Sequence, residues 1–345
     1  MIAGRLPAGR PPGDLAYGVD IGGTKVLGVA VAGGRVAAEC RMPTPQLAAS
    51  AGNGADVVAP LANAISEVIS TLAGTVSRGG AAPTPHDGAG VGIGVPGMLD
   101  RDGVVRFSPN LPGIVGVALA PLVAGRLGGA DVRVANDANC AALAEQRLGA
   151  ARGVRDGLVV TLGTGIGGAV VVGGEIRSGA HGYAGEVGHM VVDPSGPLCP
   201  CGGRGCWEQF ASGAGLGRLA REAAVAGTLD AAVVLAGGDP DLVRGEHATI
   251  AAARGDAGAL AVVDRFGWWL ALGLANLVAI CDPEIVVVGG GLAEAGELLL
   301  DPARRAYETL VEGGRARPRV PIVAAALGER AGAVGAALMA GATRA

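Results

Sequence analysis

The chain has 345 residues, half of them hydrophobic, and a net charge of −4. That length supplies one large domain or two ordinary ones with real cores, and the apolar content excludes a disordered chain despite 63 glycines. Basic residues are scattered, the densest run being the three arginines of Arg315–Arg319, read as a solvated loop, so a nucleic-acid partner is not expected. In chain order, residues 1–14 lack a signal-peptide core and read as a tail. Leu15–Gly34 has two apolar, β-branched runs around the turn DIGGTK, the pattern of a β-hairpin. Val57–Leu72 has helical spacing, Ala81–Gly90 reads as a surface loop, and GVGIGV as a buried strand. Asp131–Ala135 is a short strand and Asn136–Leu148 an Ala/Leu-rich helix. Asp156–Glu175 repeats the hairpin pattern around LGTGIGG, which points to two related halves with a cleft between them. Gly213–Cys281 is mostly helical. Its apolar run Phe266–Cys281 is shorter than the ~20 residues of a membrane helix and contains Asn276, so it reads as a buried helix. Ile285–Val288 is a strand ending in three glycines, Val320–Ala325 the last strand, and Arg330–Ala340 the last helix. The alternation is α/β with some antiparallel pairing.

Two stretches fit G-x-G-x-x-G: Gly163, Gly165, Gly168 and Gly92, Gly94, Gly97. A dinucleotide fingerprint must open a helix, but the first runs into a strand and the second contains Pro96. The paired hairpins say more. A Gly/Thr turn offers backbone N–H groups and a hydroxyl to an anion. DIGGTK adds Asp20, able to face a magnesium ion, and Lys25, the only lysine among 27 basic residues. Two such turns can grip one nucleotide's phosphates; the plainer alternative is two ordinary hairpin turns.

VANDANC places Asn136 and Asp137 between a strand and a helix, where either residue is an ordinary N-cap. Strand C-terminal ends are also where open α/β folds bind ligands. Phosphoryl transfer to an alcohol needs positioning, charge stabilisation and a carboxylate to accept the hydroxyl proton, a role open to Asp137. Cys199-x-Cys201-x4-Cys206 with His189 supplies the donor set of a structural zinc, although Cys-x-Cys is tighter than the usual Cys-x2-Cys; the alternative is three thiols in a glycine loop. No Cys-x-x-Cys redox pair occurs. His181 is a rival ligand. Cys40, Cys140 and Cys281 read as buried small residues, and His86 and His247 as surface residues.

Together DIGGTK, GIGVPG, SPNLPG, NDAN, LGTGIGG, HGYAGEVGH, CPCGGRGCWEQFASG and VVVGGG resemble the ROK sugar kinases, especially the bacterial ATP-dependent glucokinases, from about Tyr17 to the last helix. The resemblance implies the actin-like, ribonuclease-H-like two-domain fold. Residues 15–134 and 330–345 would form a small domain, and residues 135–329 a large one with the zinc loop. Asp137 is implied as the general base acting on the sugar 6-hydroxyl. Gly97, Asn110, Asn136, Asp137, Glu186, His189 and Glu208 are implied as sugar ligands. The turn residues Asp20, Gly22, Gly23, Thr24, Lys25, Thr164 and Gly165 are implied at ATP and its Mg2+, with Gly289, Gly290 and Gly291 near adenosine. The zinc ligands implied are His189, Cys199, Cys201 and Cys206.

Ile114 departs from the tryptophan of many relatives, and residues 1–14 are an extension. The implied protein is a cytoplasmic homodimer or homotetramer that converts glucose to glucose 6-phosphate, with hexose and ATP as partners and neither nucleic acid nor membrane. N-acetylglucosamine, N-acetylmannosamine, mannose and fructose are alternative acceptors, though WEQFASG looks most like glucokinases. A sugar-responsive repressor needs a helix-turn-helix before the first strand, where only about sixteen residues stand, among them Pro7, Pro11 and Pro12.

Overall fold

The apolar runs AYGVDI and KVLGVAVA pair antiparallel as β1 (Ala16–Ile21) and β2 (Lys25–Ala32) in the computed structural model, which describes residues 15–47, 55–77 and 84–341. The expected tail, residues 1–14, lies outside the described residues. β3 (Arg35–Pro43) continues the meander, with an irregularity at Ala30/Val31. β4 (Val91–Val95) lies parallel to β1, and the short pair β5 (Met98–Leu99) and β6 (Val105–Phe107) forms a separate ribbon. β7 (Val132–Asn136) is parallel to β4 and completes the order β3-β2-β1-β4-β7. Helix α1 (Ala55–Ser77) presents Val58, Leu61, Ile65, Val68, Ile69 and Leu72 to this core at three- and four-residue spacing. Each such side chain contributes about 1.5–3 kcal/mol on burial. α2 (Leu119–Arg126) adds Leu119 and Val123, and α3 (Asp137–Leu148) follows β7 directly.

A second five-stranded sheet repeats the plan. β8 (Gly157–Leu162) and β9 (Ile166–Val172) are the hairpin, and β10 (Glu175–Ile176) adds to β9. Helices α4 (Glu208–Ala211), α5 (Gly213–Val225), α6 (Asp230–Leu235), α7 (Gly245–Ala253) and α8 (Ala257–Cys281) come next. β11 (Ile285–Gly289), α9 (Glu297–Leu310) and β12 (Ile322–Ala324) complete the order β10-β9-β8-β11-β12, with β11 parallel to both neighbours. α8 is longer than its uncharged run suggested, 25 residues, because the segment before Phe266 is also helical. By length and composition α8 and the Asp56–Ser77 part of α1 could each cross a membrane. α8 instead commits Phe266, Leu270, Leu274 and Val278 to the second core. Arg317 is not solvated as expected: its guanidinium donates to the Val278 carbonyl (2.9 Å) and pairs with Asp282 (2.5 Å) at the end of α8.

The last helix, α10 (Ala331–Ala340), returns to the first sheet. It is made of small residues because it packs at backbone distance. A Cβ on Gly335 would stand 1.7 Å from the Cys140 carbonyl oxygen of α3, and one on Gly18 of β1 would stand 1.9 Å from that of Ala333. The chain divides into one unit of Met1–Gly153, Val171–Gly185 and Glu329–Ala345, and another of Val154–Val170 and Glu186–Gly328. In this division residues 135–153 fall with the first sheet, α3 being packed against α10. We expect Gly18→Ala to destabilise the protein by about 1–3 kcal/mol in chemical denaturation, the scale of overpacking against fixed backbone; an unchanged midpoint would contradict this packing.

Candidate active site

In the first unit the site grows from the ends of β1 and β7. Asp20 stands one residue from the end of β1, partly buried, and its Oδ1 is shielded from solvent with no hydrogen-bond partner among the described residues. A Cβ on Gly94 of β4 would lie 3.3 Å from that oxygen and 3.5 Å from the Asp137 Cα, so the two acidic residues flank one glycine. From the other side α10 closes over Asp20, where a Cβ on Gly332 would lie 2.6 Å from the carboxyl carbon. Asp137 is the first residue of α3, at the positive end of the helix dipole. Asn136 is the N-cap: its Oδ1 accepts from the Asn139 amide (3.0 Å) and its Nδ2 donates to the Gly97 carbonyl (3.1 Å). Gly97 has φ of 114° and no room for a side chain, the Phe107 carbonyl oxygen standing 2.2 Å from where a Cβ would be. Asn110 lies in the exposed loop after β6.

The turn Gly22–Lys25 closes with the Gly22 amide donating to the Lys25 carbonyl (2.8 Å). Gly23 and Thr24 are exposed at its apex. Two contacts here have no local sequence signal. Thr44, beyond β3, donates its hydroxyl to the Gly22 carbonyl (2.7 Å) and its amide to the Thr24 carbonyl (3.0 Å). The Lys25 ammonium pairs with Glu329, which lies 304 residues along the chain. The solitary lysine was the one hint that this cation is special.

In the second unit Thr164 and Gly165 form the apex of the β8–β9 turn, with the Gly163 amide donating to the Gly165 carbonyl (3.0 Å). The Ile166 amide is engaged, donating to Glu208 Oε2 at 3.4 Å; a Cβ on Gly165 would stand 2.5 Å from the same oxygen. The other oxygen, Oε1, accepts from the Cys199 thiol (3.0 Å) and lies 3.6 Å from His189 Nδ1. His189 Nε2 faces Glu186 at 3.9 Å. One donor atom from each of His189, Cys199, Cys201 and Cys206 lies within 4.8 Å of the others. Cys199 Sγ to His189 Nδ1 and Cys201 Sγ to Cys206 Sγ are both 3.6 Å. A tetrahedral ion with ligands at about 2.0–2.3 Å has donor–donor edges of about 3.5–3.8 Å, so the set fits a metal. The rival ligand His181 is exposed and outside this group. Gly289 ends β11 and Gly290–Gly291 follow it, where Gly290, at φ of 87°, passes close to the Leu162 carbonyl.

Two smaller expectations are corrected. Of Cys40, Cys140 and Cys281 only Cys140 is fully buried, because Cys40 lies on β3, the edge strand of its sheet, and Cys281 is the last residue of α8. His247 is partly buried, its Nδ1 accepting from the Arg244 amide (3.2 Å) to cap α7, while the side chain of His86 lies outside the described residues.

The sequence matches the ROK family profile over residues 16–343. The chain belongs to the ROK family. It is 39% identical to the glucokinase of Streptomyces coelicolor over 327 residues, 94% of this chain and 96% of that protein. Over 215 residues it is 44% identical to the glucokinase of Thermotoga maritima, 62% of this chain and 67% of the other. Among solved structures, the ROK family glucokinase of Streptomyces griseus in complex with glucose and AMPPNP matches with a TM-score of 0.80 and 38% identity, over 94% of this chain and 99% of that one. The ROK hexokinase of Thermus thermophilus matches with a TM-score of 0.70 and 35% identity, over 94% and 97%. The fold is the actin-like, ribonuclease-H-like two-domain sugar kinase fold.

The electrostatics of this ROK protein are uneven. Burial pushes the Asp20 carboxyl up to about 8, the Asp137 charge adding to the effect and Lys25 opposing it. Burial also raises Glu186, with His189 opposing and Glu208 reinforcing. Cys199 is raised by burial. Cys201 is opposed by burial yet ends below its usual value, because the Gly203 amide and the neighbouring thiols donate to its sulfur. For Asp20 the folded state holds its proton more tightly than the unfolded state, so it costs stability as pH rises from about 4 toward about 8. In metal-free buffer Asp20→Asn is therefore expected to gain on the wild type between pH 4.5 and pH 8, by about 2 kcal/mol or more. Urea titrations showing no gain, or a gain toward acid, would remove the buried ionised carboxylate from the account.

Proposed function

We propose that the protein is an ATP-dependent hexokinase that transfers the γ-phosphate to the 6-hydroxyl of glucose. The observation that carries this reading is likeness to glucokinases over nearly the whole chain, together with Asp137 at the junction of β7 and α3 beside Asp20. Asp137 accepts the 6-hydroxyl proton as that oxygen attacks the γ-phosphorus; the bond to the β-phosphate oxygen breaks and ADP departs. Gly97, Asn110, Asn136, Glu186, His189 and Glu208 orient the sugar with Asp137. Amides and carboxylates suit this because each hydroxyl both donates and accepts.

The turns Gly22–Lys25 and Thr164–Gly165 hold the phosphates, and Gly289–Gly291 pack near adenosine. Asp20, with an orphaned buried oxygen, fits a magnesium ion. Magnesium supplies charge neutralisation at the β- and γ-phosphates. His189 Nδ1 and the sulfurs of Cys199, Cys201 and Cys206 fit a closed structural zinc site, which holds the loop carrying Glu186 and the start of α4. The likeness to glucokinases supports hexose and ATP as partners of a cytoplasmic homodimer or homotetramer without a membrane partner, and the scattered basic set with a net charge of −4 supports a protein without a nucleic-acid partner.

A coupled ADP-release assay with glucose, N-acetylglucosamine, N-acetylmannosamine, mannose and fructose should give glucose the highest kcat/KM, and turnover of none of them would overturn the function. Asp137→Asn should fold normally and lower kcat by ~10² or more; turnover near wild type would remove Asp137 from the chemistry. Elemental analysis should find about one zinc per chain, lost in Cys201→Ala; a metal-free wild-type protein would defeat the zinc assignment.

A further inference from the structure

Five charged side chains alternate in sign beside the Gly22–Lys25 turn. Lys25 pairs with one oxygen of Glu329, and Arg41 of β3 pairs with the other (2.5 Å). Arg41 also pairs with Glu39 (2.8 Å), whose second oxygen meets Arg330 (2.7 Å). The chain of charges thus joins the start of β2, the middle of β3 and the residue preceding α10. Lys25 is the member closest to the turn apex, where Gly23 and Thr24 stand exposed and nothing lies within 4 Å of a Cβ on Gly23.

We infer that Glu329 sets nucleotide affinity, its carboxylate occupying Lys25 in the free protein and giving it up to the phosphates of the bound nucleotide. This rests on the reading of Gly22–Lys25 as a phosphate turn. Three features support an exchange over a fixed structural pair. The Lys25–Glu329 pair is partly exposed, the side chains being 45% and 31% accessible, and such pairs are weak. A polyphosphate presents several negative charges to the same ammonium and is the stronger partner. Arg41 stays on the second oxygen of Glu329, so the carboxylate is not left uncompensated when Lys25 departs.

A fourth feature says that Glu329 acts through charge and not through the shape of the turn. Thr44 already holds the turn, with its hydroxyl on the Gly22 carbonyl and its amide on the Thr24 carbonyl. Removing the Glu329 charge therefore leaves the turn in place, frees Lys25 and removes a repulsive carboxylate from beside the phosphates. Affinity should rise, whereas a residue needed to build the turn would lower it.

Calorimetric titration of MgADP into the full-length wild type, Glu329→Gln, Lys25→Met and the double variant tests this. Glu329→Gln should tighten MgADP about 2–5-fold, the scale of one exposed ion pair. The gain should shrink at high salt and vanish in the Lys25→Met background. Glu329→Asp keeps the charge ahead of α10 but shortens the reach to Lys25, so it should show a smaller gain of the same sign; it provides the readout if the glutamine variant does not fold. Weaker or unchanged binding by the folded Glu329 variants, or an equal gain without Lys25, overturns the inference. If Lys25→Met alone binds MgADP as the wild type does, the phosphate reading of the turn falls with it.

Discussion

The backbone-close packing of α10 on the first sheet is the constraint from which much of the site follows. α10 has almost no side chains to hold it off, so its carbonyls approach β1 and β4, and its first turn reaches the end of β1. There Gly332 covers Asp20, removing water from the carboxylate without offering a hydrogen bond to Oδ1. A buried oxygen left in this state is costly in the free protein and favourable for a cation, because a positive charge restores the solvation that packing took away. Two residues ahead of the same helix, Glu329 reaches Lys25. One helix from the end of the chain thus sets the surroundings of both charged residues in the DIGGTK segment.

The second unit uses a different device. Its glycine turn is tied to the cysteine loop by a single carboxylate, Glu208, with one oxygen toward Cys199 and His189 and the other against Gly165 and the Ile166 amide. Trp207, immediately before it, is wholly buried and donates from Nε1 to the Trp269 carbonyl (2.8 Å), which anchors the start of α4 on α8. Glu208 therefore stands on a fixed base, and the positions of the cysteine loop and the turn are set together. That Ile166 already spends its amide on Glu208 leaves the apex residues Thr164 and Gly165 as the part of this turn open to a ligand.

Much of the architecture was legible in the linear pattern. Both hairpins, the helix after Asn136, the helical stretch from Gly213 and the last helix follow from residue periodicity and from turn residues, which act over a few neighbours. The N-cap at Asn136 was legible for the same reason, and it coexists with the functional reading of Asp137, because capping uses one side chain and leaves the next to the site. The candidate metal donors were legible because three of the four fall within eight residues, and one donor atom from each lies within 4.8 Å of the others.

Other features were beyond the linear pattern. The grouping of residues 135–153 with the first sheet depends on α3 packing against a helix from the far end of the chain, which no local signal records. The length of α8 escaped the polarity count because charged residues on its exposed side interrupt the apolar run without interrupting the helix. The pairing of Arg317 with the end of α8, the hold of Thr44 on the Gly22–Lys25 turn and the pairing of Lys25 with Glu329 all arise between segments apart in sequence. The sequence by itself determined which residues could do chemistry and which elements carry them, because donor type and backbone preference are local properties. The tertiary structure alone decided which of those groups lose water and which charge each one meets, because solvent exclusion and Coulomb interaction act through space.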